Sequence, residues 1–168
     1  MIEDAGFASA LGGALAEAEA LMRVEHGAED ALIGSLIATA VTLCEGFTGT
    51  VILSRTFRET VPASAEWRRL SRTPVAVIDG IDGVPVDGYA IDIDANGDGW
   101  VRVSAPGQSL VTVDYVAGGS ASWAEVPVAV RQGVLRLAAH LYAHRDGEAE
   151  PPTAVAALWR PFRRMRVG

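Results

Sequence analysis

The stretch DALIGSLIATAVTLCEGFTGTVILSRTFRETV (residues 30–61) contains the change of periodicity that decides the fold. From about residue 28 to residue 45, apolar side chains cover more than half of a helical circumference, which indicates a helix buried between several neighbours. Gly46 and Gly49 supply the stop that ends this helix. The next residues, 51–61, are rich in β-branched and aromatic side chains and indicate a strand. The chain therefore changes from helical to extended structure within this stretch.

Helices are also predicted on both sides of this junction. Residues 14–24 (ALAEAEALMRV) consist largely of strong helix formers. Residues 128–145 (VAVRQGVLRLAAHLYAHR) carry an apolar stripe with helical spacing. After two consecutive prolines, residues 153–168 (TAVAALWRPFRRMRVG) predict a short helix that breaks near Pro161 and continues into a basic end.

The middle of the chain is predicted to be β-rich. Its short β-branched and aromatic segments are separated by Gly, Pro, Asn and Asp, and they span residues 51–61, 74–81, 89–94, 100–104 and 110–116. Connections this short favour antiparallel hairpins over crossover connections. Residues 61–74 are compatible with either a short helix or an extended loop.

These patterns predict an α+β fold. Its helical core would contain two N-terminal helices, one long C-terminal helix and a short terminal helix, with an inserted antiparallel β-hairpin or sheet segment. We expect a single domain over residues 1–150, in which helices occupy about 14–46 and 126–145 and the β-rich insert about 50–117. Residues 151–168 would form a short C-terminal helix and a basic tail.

The charge of the chain is strongly polarised. The net charge is −7, which argues against a protein that grips nucleic acid over a broad surface, because phosphate neutralisation needs clustered cations. Residues 1–150 carry 10 Arg and 21 acids, a balance of −11, whereas residues 151–168 carry four Arg and no acid, a balance of +4. A basic tail on an acidic body suggests docking onto an acidic partner.

No membrane association is expected from the sequence. The N-terminus begins MIED, which is acidic where a secretory signal would be basic. The longest uncharged apolar run, residues 31–44, is shorter than the roughly 20 residues that a membrane span requires. Cys44 is the only cysteine, so the chain cannot form an internal disulfide.

The run DANGDG (residues 94–99) matches the opening of a calcium-binding EF-hand loop. Asp94, Asn96 and Asp98 occupy the first three ligand positions of that loop, and Gly99 occupies the position of its turn glycine. The position of the bidentate glutamate, however, is Ala105, and the flanking segments are strands where an EF-hand has helices. We therefore interpret the run as a β-hairpin turn, assign no metal, and keep the three polar residues as weak metal candidates.

No catalytic arrangement emerges from the sequence. His140 and His144 have a helical spacing that can hold a metal, but no third ligand is evident nearby. Cys44 lies in an apolar helical run, where a buried thiol is normally inert. We therefore expect neither an enzyme nor a cofactor. The alternatives are a calcium-dependent binding module that uses the 94–98 loop, or a small soluble enzyme that uses these histidines or the cysteine.

The C-terminal tail combines aromatic, apolar and basic side chains, which are residue types typical of interface hot spots. The alternative is a solvated, disordered end. The residues concerned are Trp159, Arg160, Phe162, Arg163, Arg164, Met165, Arg166 and Val167.

Two long segments resemble a known family. Residues 21–49 (LMRVEHGAEDALIGSLIATAVTLCEGFTG) resemble the opening of head–tail connector, or adaptor, proteins of long-tailed phages and gene transfer agents, with Phe47 where tyrosine is usual. Residues 126–167 resemble the closing segment of these proteins in the V-P-x-x-I/V-R-Q run, the A-H-L-Y-x-x-R stretch, the acidic loop and the terminal helix. The β-rich middle is similar in pattern only.

The resemblance implies a structural role at the head–tail junction of a virion or phage-like particle assembled in the cytoplasm. Such adaptors form a ring of about twelve copies under the portal protein. The ring extends the channel through which DNA passes without sequence-specific binding, and it joins the head to a stopper or tail-completion protein. In related connectors the C-terminal segment reaches the portal, which here implies portal binding by residues 159–167. The acidic body suits such a channel because it repels DNA weakly.

Overall fold

The architecture combines a group of packed helices with two antiparallel sheets, and it confirms the predicted α+β fold. A computed structural model describes residues 2–5, 7–25, 27, 29–104, 107, 109–145 and 150–164.

The helices lie at both ends of the chain. They are α1 (Phe7–Ala10), α2 (Ala14–Met22), α3 (Asp30–Thr48), α4 (Val128–Ala143) and α5 (Thr153–Trp159). Helix α3 runs through Gly46, one of the two predicted stop residues, and ends three residues later than predicted, at Thr48. The second predicted stop, Gly49, caps it, because Gly49 adopts a left-handed conformation with φ 73° and its N–H donates to the carbonyl oxygen of Glu45 at 2.9 Å. Glycine reaches this conformation without the strain that a Cβ would introduce.

The helices bury one continuous apolar core. Helix α3 contributes Ile33, Ile37 and Val41, and α4 contributes Val134 and Leu137. Each of these side chains is almost completely buried, and such burial stabilises the fold by roughly 1.5–3 kcal/mol per residue relative to exposure. The wide apolar surface of α3 is therefore explained by its contacts with α2, α4 and α5.

Helix α3 is also apolar and long enough, by length and composition alone, to cross a membrane. In the fold, however, its side chains at Ile33, Ile37, Ala40, Val41 and Cys44 are at most 1% exposed and belong to the helical core. These contacts identify α3 as a core helix.

The strands form two sheets. They are β1 (Ile2–Ala5), β2 (Arg55–Pro62), β3 (Arg68–Arg69), β4 (Val75–Ile81), β5 (Tyr89–Ile93), β6 (Gly99–Val103) and β7 (Leu110–Ala117). The larger sheet has the order β1-β2-β7-β4, and the smaller sheet has the order β3-β6-β5. All their pairings are antiparallel, as the short connections predict.

A second apolar core lies among the strands. Phe57 of β2 pairs in register with Tyr115 of β7, and their rings stack with centroids 5.7 Å apart. Val101 of β6 and Ile78 of β4 belong to the same buried cluster, so both sheets contribute to it. The fold therefore has one core in its helical part and one in its β-rich part.

Two N-terminal elements and one loop were not resolved by the sequence analysis. The edge strand β1 pairs with β2 although residues 2–5 (IEDA) have too few strand-forming residues to reveal it. Helix α1 has only four residues, which is too short for a periodic pattern. Residues 61–74 take the extended alternative and contain β3.

The division of the chain into residues 1–150 and 151–168 stays a prediction. Helix α5 packs against α4, and its residues Val155 and Trp159 belong to the helical core. The first part of the C-terminal segment is therefore integral to that core. We use the name basic arm for residues 160–168, which follow α5.

Candidate partner-binding site at the root of the basic arm

The basic arm starts from a buried anchor, Trp159. This side chain is 4% exposed, and its Nε1–H donates to the carbonyl oxygen of Val130 at 3.3 Å. Its ring lies 6.0 Å from that of Phe47, and it packs so closely on Gly133 that a Cβ there would lie 2.8 Å from two atoms of the indole. Trp159 is therefore buried within the helical core of the chain and anchors the arm, while the exposed surface comes from the residues that follow it.

After Trp159 the chain turns and exposes its cations. A 3-10 turn, Arg160–Phe162, contains Pro161, at which the sequence predicts the helix to break. Arg160 and Arg163 are exposed, and the guanidinium of Arg163 lies 5.9 Å from the ring centroid of Phe47. Phe162 is 38% exposed. The remaining predicted contact residues, Met165, Arg166 and Val167, lie outside the described residues.

Arg164 is held by the protein itself. Its backbone N–H donates to the carbonyl oxygen of Thr48 at 2.7 Å, which ties the arm to the end of α3. Its guanidinium donates to the Oγ1 of Thr73, to the carbonyl oxygen of Asn96 at 2.7 Å and to the Oδ2 of Asp98 at 3.2 Å. Arg164 therefore fixes the root of the basic arm against the turn between β5 and β6.

That turn, residues 94–98, is the hairpin tip. Strands β5 and β6 pair antiparallel on either side of it, which confirms the predicted hairpin. The backbone N–H of Asp94 donates to the carbonyl oxygen of Asp98 at 3.0 Å, and that of Gly97 donates to the carbonyl oxygen of Asp94 at 2.9 Å. Gly97 has φ 75°, and a Cβ there would lie 2.9 Å from the Cβ of Pro74. The Asn-Gly step thus serves a turn that requires glycine.

The carboxylates of the hairpin tip are already engaged. Asp94 accepts hydrogen bonds from the backbone N–H groups of Asn96 at 2.8 Å and Asp98 at 2.9 Å, and from Trp100 Nε1 at 3.2 Å. The bond from the Asp98 amide is the main cause that lowers the pKa of Asp94 below its ordinary value. Asp98 forms ion pairs with Arg164 at 3.2 Å and Arg69 at 3.6 Å. The carboxylates of both aspartates are therefore bound by groups of the protein itself: Asp94 by backbone N–H groups and Trp100, and Asp98 by two arginines.

We therefore expect calcium to leave the protein unchanged. A calcium ion would have to displace the guanidinium of Arg164 and break the bonds that Asp94 accepts within its own loop. Thermal unfolding in millimolar calcium should give the same midpoint as unfolding in millimolar magnesium. A calcium-specific rise of several degrees that disappears in Asp94→Asn would contradict this prediction. Within the described ranges, no group of three or more His, Cys, Asp or Glu side chains is placed to hold a metal ion.

A cavity of about 680 Å³ lies where the basic arm meets the end of α3. One side is formed by the segment 46–49 at the C-terminal end of α3, and the other by Arg160, Arg163 and Arg164. Its size falls in the range of roughly 300–1,000 Å³ that binding pockets occupy. The predicted arginines thus line a concave surface together with residues that the sequence did not mark.

The residues of the enzyme alternative, Cys44, His140 and His144, do not line this cavity. Cys44 is buried in the helical core, where burial and, to a smaller degree, the charge of Glu45 raise the pKa of its thiol. A thiol in this environment stays protonated and is a poor nucleophile. The rings of His140 and His144 lie 4.3 Å apart, and His144 Nδ1 is 2.9 Å from the carbonyl oxygen of His140.

The sequence analysis missed the residues that position the arm. Thr48 and Thr73 bind Arg164, and neither belongs to a motif that marks this role. Gly133 carried a usable signal, because a glycine inside the apolar pattern of a predicted helix suggests close packing by another group. That group is Trp159.

Comparison with known proteins finds similarity only among solved structures, since no family model and no curated protein matches the chain. A chain from the neck of an empty gene transfer agent particle, computed with C6 symmetry, is 28% identical with a TM-score of 0.77. Chains from the neck of the native particle, computed with C12 symmetry, and from the native virion are each 29% identical, with TM-scores of 0.75 and 0.74. Each of these three matches covers 99% of this chain and 97% of the other. The chain is therefore similar, over nearly its full length, to a neck component of gene transfer agent particles.

Proposed function

We propose that the protein is a non-enzymatic structural component of the neck that joins head and tail in a virion or gene-transfer-agent-like particle. The observation that carries this proposal is the match of 28–29% identity over 99% of the chain to neck and virion structures. The match covers 99% of the chain with TM-scores of 0.74–0.77, so it involves the whole fold rather than one motif.

Within the neck, we propose the role of an adaptor that forms a ring under the portal and extends the DNA channel. The similar necks have C6 and C12 symmetry, and a ring of twelve copies is compatible with both because C6 is a subgroup of C12. A cyclic ring uses head-to-tail contacts, in which each copy presents two different faces to its neighbours. The other partners would be the portal protein and a stopper or tail-completion protein.

The charge distribution supports passage of DNA without tight binding. The part of the chain before the C-terminal segment has a balance of −11, which disfavours the neutralisation of phosphates on which non-specific DNA binding depends. Weak repulsion at the channel wall would let DNA slide. The basic arm carries four Arg and no acid, and two of these, Arg160 and Arg163, are exposed to a protein partner.

We propose the basic arm as the portal-binding element. Arg160, Phe162 and Arg163 present the exposed charge and apolar surface that this contact needs, and Met165, Arg166 and Val167 extend the same composition. Two further residues position the arm. Trp159 anchors it in the helical core, and Arg164 fixes its root against the hairpin tip.

Removing residues 163–168, which form most of the basic arm, should separate docking from folding. A chain that ends at Phe162 keeps Trp159 in the helical core, whereas a cut before Trp159 would leave the pocket over Gly133 unfilled. We expect this truncated chain to keep its circular dichroism spectrum and to lose co-sedimentation with the portal. Full-length Arg136→Ala serves as a control, because it removes one exposed arginine on α4, away from the arm. Undiminished co-sedimentation of the truncated chain would rule out residues 163–168 as the docking element.

A further inference from the structure

The three arginines that line the cavity at the root of the basic arm have different roles. Arg164 has a carboxylate partner, Asp98, and two further acceptors. Arg160 and Arg163 are exposed, and neither forms an ion pair with any of the residues that the structure describes. The cavity therefore has one guanidinium that is part of the framework and two that are available to a ligand.

Two carboxylates of the described residues lie next to the cavity lining in sequence or through contacts, and both are already paired with other arginines. Glu45 precedes the lining residue Gly46, but its carboxylate is bound to the guanidinium of Arg55 at 2.9 Å. Asp98 is bound to Arg164 and Arg69. The positive charge of Arg160 and Arg163 is thus left for a ligand, and arginine favours carboxylates that it binds through two parallel hydrogen bonds.

The shape of the cavity indicates a polypeptide ligand. At about 680 Å³ it is much larger than a single carboxylate, and the Phe47 ring gives it an aromatic surface beside the cations. A peptide segment can place acidic groups against the guanidinium groups and pack its apolar atoms on Phe47. DNA would match the positive charge of the cavity but would match its concave shape less well. A phosphate backbone binds best to a row of cations on an open surface.

We propose that this cavity binds an acidic segment of the protein on which the arm docks. Arg160 and Arg163 are its contact residues, and Arg164 is a positioning residue held by the hairpin tip. This inference rests on the proposed function, because it names the chemistry of the segment that the arm recognises. It also gives the DANGDG run a role, since Asp98 and the carbonyl oxygen of Asn96 keep Arg164 in place.

The test measures binding of a fluorescein-labelled oligoglutamate peptide to the full-length protein by fluorescence anisotropy. Arg160→Ala and Arg163→Ala should each weaken binding about tenfold, the factor expected for one hydrogen-bonded charge pair. Arg136→Ala, an equal change of charge on exposed α4 surface, should leave affinity within a factor of about two. Equal weakening by all three changes would show unspecific attraction and overturn the proposal.

Whether Asp98 positions Arg164 is tested by the direction in which Asp98→Asn changes the affinity for the acidic peptide. Asp98→Asn removes a negative charge near the cavity, so simple electrostatics predicts tighter binding of the acidic peptide. If Asp98 positions Arg164 and the arm, the same change should instead weaken binding about threefold, which corresponds to the loss of one ion pair near the surface. Tighter binding by Asp98→Asn would overturn the positioning role.

Two further outcomes would assign the cavity to another occupant. If a DNA duplex binds more tightly than the peptide and depends on Arg160 and Arg163 in the same way, the cavity is a phosphate site. If the peptide dissociates a homo-oligomer, the occupant is a neighbouring copy of this acidic chain.

Portal binding separates this inference from the proposed function. If the chain ending at Phe162 loses portal binding while Arg160→Ala and Arg163→Ala retain it, this inference fails and the proposed function stands.

Discussion

Replacing Glu45 by glutamine is expected to lower the free energy of unfolding by about 3–5 kcal/mol, because it removes the carboxylate charge that is bound to the buried guanidinium of Arg55. Both side chains are nearly inaccessible, with exposed fractions of 8% for Glu45 and 6% for Arg55. Two parallel hydrogen bonds of 2.9 Å join them, and Glu45 Oε1 also accepts the backbone N–H of Ile52 at 2.9 Å. Glutamine retains an acceptor for Ile52, so the measured loss reports mainly on charge.

Glu17→Gln is the matched control. It makes the same chemical change in an ion pair with Arg131, whose N···O distance is 3.6 Å and in which Glu17 is 40% exposed. Exposed pairs contribute about 0.2–1 kcal/mol, so the control should cost less than 1 kcal/mol. Urea unfolding followed by circular dichroism measures both variants. A loss at Glu45 no larger than that at Glu17 would show that water or a rearrangement compensates Arg55.

A paired apolar replacement distinguishes the cost of removing one partner of the ion pair from the net contribution of the whole pair. Glu45→Met combined with Arg55→Met removes both charges and leaves apolar side chains of similar length. Such replacements are often close to neutral in other proteins, so the double variant should be more stable than Glu45→Gln alone. The guanidinium of Arg55 also lies over the rings of Phe7 and Phe57, at 4.7 Å and 4.9 Å from their centroids, so part of its contribution is packing.

For the ion pair between Glu45 and Arg55, the sequence predicts the two elements but not the contact between them. Periodicity predicted the helix that contains Glu45 and the strand that contains Arg55, because a buried face repeats apolar residues at a regular spacing in the sequence. It could not predict that these two residues meet. The last residues of α3, a turn and an extended segment lie between them, and their distance depends on the angle between α3 and β2. The pair joins α3 to β2 at the change of periodicity that decides the fold.

The basic arm shows the same limit for function. Composition identified the arm, and four arginines without an acid are visible in any sequence reading. It could not separate Trp159, which packs in the helical core, from Phe162, which is partly exposed. Nor could it separate Arg164 from Arg163, because that difference depends on contacts with Asp98 and Asn96, more than sixty residues away in the chain. Residue types are local information, whereas their partners are set by the tertiary fold.

Replacing Gly133 by alanine should lower the free energy of unfolding by about 2 kcal/mol. A Cβ at this position would collide with Nε1 of Trp159 and lie 2.8 Å from Cδ1 and Cε2. The indole cannot move away freely, since it is buried and bonded to the carbonyl oxygen of Val130. Overpacking of this severity costs up to about 3 kcal/mol, and the better helix propensity of alanine returns about 1 kcal/mol.

The matched change Gly34→Ala should have the opposite sign. Gly34 lies inside α3, and a Cβ there would meet no atom within 4 Å, so only the propensity gain of up to about 1 kcal/mol remains. A Trp159→Leu change should lessen the cost of Gly133→Ala, because a smaller side chain leaves room for the methyl group. Since α5 carries the arm, Gly133→Ala should also weaken peptide binding at the cavity without altering any arginine. If both glycine variants were stabilised equally, Trp159 would not be fixed over Gly133. Trp159 would then not anchor the basic arm to the helical core.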